Sequence, residues 1–135
     1  RLDPEQRRRL AAEIVCPDDA YRARFMAELE QAAAGHGGDG AGLARAYQAQ
    51  CAKDETMAEA VAARLGPGRT VIHVNGAFHT DGRLGAAART TRRRPEANLV
   101  VLSVRSGRDA AGAADVAALK QAYGADVGDY LIMTR

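Results

Sequence analysis

What most constrains this chain is a change of hydrophobic period at Gly66-Pro67-Gly68. Before that turn apolar residues recur at helical spacing; after it they gather into short β-branched and aliphatic runs. Thr70 to Asn75, Leu99 to Val104 and Tyr130 to Thr134 read as strands, with helices expected over Leu84 to Arg94 and around Ala113 to Tyr123. Strand-helix-strand-helix-strand is the order of right-handed parallel crossovers, so the chain is expected to be an α/β fold with a small, mostly parallel sheet. The runs VVLSV and YLIM are nearly continuous rather than alternating, which suits strands covered on both faces. Three strands make a narrow sheet for three preceding helices to cover. Residues 1–135 are therefore expected to be the carboxyl-terminal part of a single larger α/β domain, with further strands upstream of Arg1.

The amino-terminal part reads as helices. Asp3 is placed as an N-cap, with Pro4 at the first helical position and Gln6 completing a capping-box pattern, and this helix is expected to stop before Pro17. A second helix from about Asp18 puts Tyr21, Phe25, Leu29 and Ala32 on one face. A glycine-rich loop, Gly35 to Gly40, separates it from a third helix over about Ala41 to Leu65. On that third helix Leu43, Tyr47, Gln50, Asp54, Met57, Val61 and Leu65 fall in one stripe, which puts polar side chains on the face that should be buried. Burying a carboxylate and an amide costs on the order of several kcal/mol unless they are paired or bind something. The stripe is thus either a satisfied polar contact or one wall of a site.

Composition narrows the function classes. A formal charge of +2, aromatics at 4% and no Trp leave little to attract or stack nucleic acid. Cys16 and Cys51 fall on separate expected helices without C-x-x-C or zinc-finger spacing, and read as unpaired buried thiols, with a disulfide as the alternative. No apolar stretch approaches the roughly eighteen residues of a membrane span. The chain begins at Arg1, so the lack of a leader says nothing about its compartment.

The chemistry-bearing stretch is VIHVNGAFHTD, Val71 to Asp81, where an apolar run breaks into a glycine, a histidine and an aspartate. In open α/β sheets, sites collect just past the carboxyl ends of the strands, which makes Gly76 and His79 the first candidates. Asp81 lies close enough in sequence to orient the ring or share a ligand. His73 reads as a core histidine in mid-strand and His36 as a solvated loop residue. His73 and His79 match no standard zinc spacing, and H-E-x-x-H, G-x-S-x-G, P-loop and G-x-G-x-x-G patterns are all absent. Gly82-Arg83-Leu84-Gly85 reads as a turn. Arg92-Arg93-Arg94, with Arg83 and Arg89 upstream, reads as a solvated helix face; beside His79, Arg83 is the nearest forked donor for an anionic ligand.

Four stretches in matching order, AYQAQCAKDETMAEAVA, VIHVNGAFHTDGRLG, RRRPEANLVVLSV and GDYLIMT, resemble the carboxyl-terminal half of ChaN-like haem-binding uptake proteins of the Tiki superfamily. The resemblance implies an α/β fold, export to the bacterial cell envelope as a periplasmic or outer-membrane-anchored lipoprotein, and a role in haem or iron acquisition. Relatives in the wider superfamily include metal-dependent proteases with two Gly-x-x-His motifs and an acidic residue. Gly76 to His79 matches the second motif, and the first has no counterpart here.

Two readings follow. In the first, the protein binds haem or another small iron-bearing ligand, with His79 as metal ligand, Gly76, Tyr47, Gln50 and Asp54 around it, and Arg83 on the propionates. A shared cavity at one rim of the sheet is the expectation behind this set, Tyr47 is a candidate phenolate ligand, and a homodimer is an assembly to test. In the second, the chain is a metal-dependent hydrolase using a divalent ion held by His79, with Asp54 or an upstream Glu activating water. A blander third reading makes it a scaffold whose site residues lie upstream; no catalytic residue is assigned in any of them.

Overall fold

The structure is a computed structural model that describes residues 3–33, 40–106 and 127–134, with positions 118 and 121. Two compact units divide the chain, Arg1–Val71 and Ile72–Arg135.

In the first unit, helix α1 (Pro4–Arg8) carries the expected capping box: the Gln6 N–H donates to Asp3 Oδ1 at 2.8 Å and the Asp3 N–H to Gln6 Oε1 at 3.0 Å. It is much shorter than the sequence suggested. The Arg7 guanidinium reaches forward to the carbonyls of Ala11 and Ala12, at 2.6 and 2.8 Å, stabilising a chain that has already left the helix. The following residues lie as a strap along α3 (Gly40–Ala62). The Ala11 N–H donates to Thr56 Oγ1 at 3.0 Å and the Ala12 N–H to the Glu59 carboxylate at 3.1 Å. Further along, Cys16 is joined to Cys51, and the Tyr47 hydroxyl donates to the Pro17 carbonyl at 2.8 Å. An extended chain from residue 11 to 17 covers about 20 Å, and a helix from residue 47 to 59 rises about 18 Å. Strap and helix match in length and run in opposite directions.

The disulfide corrects the expectation of free thiols. Cys16 is not on a helix at all, so its backbone comes alongside α3 with a Cα–Cα distance of 5.4 Å, within the range a disulfide needs. Helix α2 (Ala20–Ala33) starts at Asp19, whose Oδ1 accepts from the Arg22 N–H at 3.0 Å. It lays Tyr21 and Phe25 against Tyr47, with ring centroids 6.4 and 5.5 Å apart.

The buried face of α3 is Tyr47, Gln50, Cys51, Asp54, Glu55, Ala58 and Ala62, at steps of three and four. Tyr47, Gln50 and Asp54 are buried as anticipated, but the face is rotated towards Cys51 and Glu55. Met57, Val61 and Leu65 are only half-buried. On this side Cys51 carries the disulfide to the strap, and Ala58 and Ala62 are buried on the same face.

Thr70 to Asn75, which spans the boundary between the two units, forms no strand, and Ile72 and Val74 are each 87% exposed. His73 is exposed as well, so it is not the core histidine expected. Two 3-10 turns follow, Ala77–His79 and Asp81–Arg83, then α4 (Gly85–Arg93), β1 (Leu102–Ser106) and β2 (Tyr130–Thr134). The strands pair in parallel, Leu102 opposite Tyr130 and Val104 opposite Ile132. The molecule is thus mixed α/β with a small parallel sheet, as expected, although the first strand of the series is missing. One sheet face buries Val101 and Ser103, whereas Leu102, Val104, Tyr130 and Ile132 stand exposed on the other, rather than covered. The His36 loop and most of the helix expected around Ala113 to Tyr123 lie outside the described residues. Among the described residues no helix is long and apolar enough to cross a membrane.

The disulfide closes a separation of 35 residues, for which the chain-entropy relation gives roughly 4 kcal/mol of stabilisation. Urea unfolding with and without a thiol reductant measures it directly. The midpoint is expected to fall sharply on reduction and equally in Cys16→Ser; an unchanged midpoint would contradict the strap.

Candidate functional site

The loop between Asn75 and Gly85 is built as two consecutive turns. The His79 N–H donates to the Gly76 carbonyl at 3.0 Å and the Thr80 N–H to the Ala77 carbonyl at 3.1 Å, which closes the first turn and places His79 half-buried at its end. Gly76 has φ −66° and ψ 139°, ordinary extended backbone. A Cβ added there would meet His79 Cδ2 at 3.8 Å, an ordinary contact. Backbone conformation therefore does not require glycine at position 76. Its missing side chain keeps the space beside the imidazole open.

The second turn is fastened to the sheet. Asp81 is buried, accepting from Ser103 Oγ at 2.7 Å on Oδ1 and from the Arg105 guanidinium on Oδ2. It thereby ties the turn that follows His79 to these two residues of β1. The Gly82 N–H donates to the Val127 carbonyl at 3.0 Å. Gly82 and Arg83 both adopt left-handed backbone, φ 66° and 57°, realising the expected turn. For Arg83 that conformation costs roughly 1–2 kcal/mol. Its side chain offsets the cost by pairing with Asp129 and donating to the Leu99 carbonyl at 3.2 Å.

Asp129 anchors this second grip. Its Oδ2 accepts from the Val101 N–H at 2.7 Å, and this bond, followed by the Arg83 guanidinium, holds its carboxyl below the usual value of 3.8. Gly128 permits the approach, because a Cβ there would stand 2.9 Å from the Val101 carbonyl oxygen and 3.1 Å from Val101 Cγ1.

Of the residues singled out from sequence, Gly76, His79 and Arg83 share this one loop of the second unit. Tyr47, Gln50 and Asp54 belong to α3 of the first unit. There the Tyr47 ring packs among Tyr21 and Phe25, with the Arg22 guanidinium 5.8 Å from its centroid, and its hydroxyl is engaged by Pro17. Gln50 Nε2 donates to the Tyr21 hydroxyl at 2.8 Å. Those two side chains build the core of the first unit. Arg92 is exposed as expected of a solvated face, but Arg89 is buried, with Nη1 donating to the Gly85 carbonyl at 3.1 Å.

Ser103, Arg105 and Asp129 were missed in the sequence. Ser103 did leave a signal, a lone hydroxyl inside an aliphatic run, which predicts a buried polar partner. Among the described residues no three His, Cys, Asp or Glu side chains are grouped to hold a metal ion.

A histidine turn at the end of an extended segment, clamped to a small parallel sheet, defines a mixed α/β protein with one candidate ligand loop. The chain belongs to the family described as haem-binding uptake, Tiki superfamily, ChaN, whose sequence pattern matches residues 1–90. That match takes in the entire His79 loop and ends within α4, short of β1 and β2. No curated protein and no solved structure matches the chain significantly.

Two variants test the anchoring. Because the Asp129 carboxyl is depressed, its stabilising effect is present above 3.8 and lost as pH falls through its lower folded value. The thermal midpoint of Asp129→Asn is expected to lie below that of the native chain at neutral pH and to converge with it in acid; a pH-independent gap would contradict this. Gly128→Ala is expected to destabilise by about 1–3 kcal/mol in urea unfolding, since the backbone oxygen it meets cannot swing aside. A neutral substitution would show that the close approach is not needed.

Proposed function

We propose that the protein binds haem at the Gly76 to Arg83 loop, with the His79 imidazole as the ligand to iron. The observation that carries the reading is the half-buried histidine on a turn that leads directly into a second one fastened twice to the sheet, beside a glycine whose backbone conformation any residue adopts. Membership of a haem-binding uptake family supports the choice of ligand. The donor set fits it. Imidazole is an established axial ligand of haem iron, and a guanidinium matches the carboxylate of a propionate. Arg83 is 50% exposed and retains N–H donors beyond those given to Asp129 and Leu99. Asn75 adds a buried Nδ2 with no acceptor among the described residues, a donor that a ligand oxygen would satisfy.

Two further properties belong to this reading. The Cys16–Cys51 disulfide supports an oxidising compartment, in keeping with a periplasmic or outer-membrane-anchored protein of the bacterial envelope. The exposed Ile72 and Val74, together with the open sheet face, support placement of these residues as the carboxyl-terminal part of a larger α/β domain.

Haem titration of the full-length chain provides the test. A saturable Soret band is expected, shifted or lost in His79→Ala. Gly76→Ala is expected to unfold at the native urea concentration yet bind haem more weakly, because the new methyl group occupies space beside the imidazole. Unaltered binding and spectrum in His79→Ala would refute the assignment.

A further inference from the structure

We propose that Asp81 is a positioning residue for His79: clasped by Ser103 and Arg105, it fixes the histidine turn on β1 and so sets the direction in which the imidazole meets its ligand. The inference rests on the reading of His79 as a haem ligand and adds to it the device that orients the ring.

On one side of Thr80 the chain is held by tertiary contacts at three successive residues: Asp81 to Ser103 and Arg105, Gly82 to Val127, Arg83 to Asp129 and Leu99. On the other side, the Gly76 to His79 turn is closed by its own backbone bonds and packs against α4, and Thr80 Oγ1 donates to Asn75 Oδ1 at 3.3 Å. Asp81 is the first tertiary anchor after the histidine, two residues away. It is also the most buried of the three, at 3% exposure.

Charge makes the anchor specific. With both carboxylate oxygens engaged, Asp81 has one direction in which it sits well, and a buried carboxylate facing a guanidinium resists displacement far more than a neutral pair. Ser103 and Arg105 are alternate residues of β1 and project from the same face. The clasp therefore reads the register of the strand and transmits it to the turn. Contacts of this kind, one step back from a ligating histidine, commonly change metal affinity by about ten- to a hundredfold when removed.

The test compares the full-length native chain with Asp81→Asn, Asp81→Glu and Ser103→Ala. Asp81→Asn is expected to lower haem affinity by about tenfold or more and to move the Soret band towards that of His79→Ala. Asp81→Glu, which restores the charge, is expected to recover part of the loss, and Ser103→Ala, which leaves the ion pair in place, to show a smaller one. A second readout needs no haem: NMR relaxation of the labelled His79 ring is expected to show greater ring mobility in Asp81→Asn than in the native chain. Thr56→Ala, a contact of the first unit, serves as a control for general destabilisation and is expected to leave the ring unchanged. If Asp81→Asn fails to fold, Ser103→Ala carries both readouts alone. Native ring mobility in the folded Asp81 and Ser103 variants would overturn the proposal whatever haem does. A native chain that fails to bind haem would instead refute the function assigned to His79, with ring mobility still deciding the role of Asp81.

Discussion

A single buried carboxylate, that of Asp81, determines how the second unit is put together. Left alone, such a group would destabilise the fold by several kcal/mol or take up a proton, so its presence obliges the structure to deliver donors to it. Ser103 and Arg105 deliver them from β1, 22 and 24 residues further along the chain. A loop that would otherwise be held by local turns thereby becomes part of the sheet. The Arg83–Asp129 pair repeats the arrangement from the next strand, and Gly128 lets that strand come close enough for it to form.

The first unit solves the same problem in another way. There an irregular segment is laid along a regular one, and side chains of α3 satisfy the backbone of the strap: Thr56 and Glu59 at one end, Tyr47 at the other, with the disulfide between them. In both units, residues on helices and strands hold segments that have little regular structure of their own. This is the usual relation between a scaffold and the loops that carry function.

Much of this was legible wherever the cause is local. The Asp3 capping box, the turn at Gly82-Arg83, the span of β2 and the burial of Tyr47, Gln50 and Asp54 each follow from a few neighbouring residues. What escaped detection depends on partners distant in sequence. The end of α1 at Arg8 is decided by what the strap gains against α3, and the same path brings Cys16 to Cys51. The rotated buried face of α3 includes Cys51, whose disulfide partner lies 35 residues away in the chain. Thr70 to Asn75 has the composition of a strand, but composition confers strand propensity and not a partner; none pairs with it among the described residues. The half of the site that lies in the Gly76 to Arg83 loop was visible as a motif. The half that holds it, Ser103, Arg105 and Asp129, was visible at most as a lone hydroxyl in an apolar run.

Family membership and loop geometry support the proposal that an imidazole presented by this turn receives the iron of haem. The chain has three histidines, at positions 36, 73 and 79, so the proposal is open to direct spectroscopy. The decisive measurement is electron paramagnetic resonance hyperfine spectroscopy on the haem-loaded full-length chain carrying His36→Gln and His73→Gln, prepared with and without 15N-labelled histidine. A coupling to iron that changes with the label is predicted, because His79 is then the sole labelled donor. Bound haem whose spectrum is indifferent to the label would contradict the account.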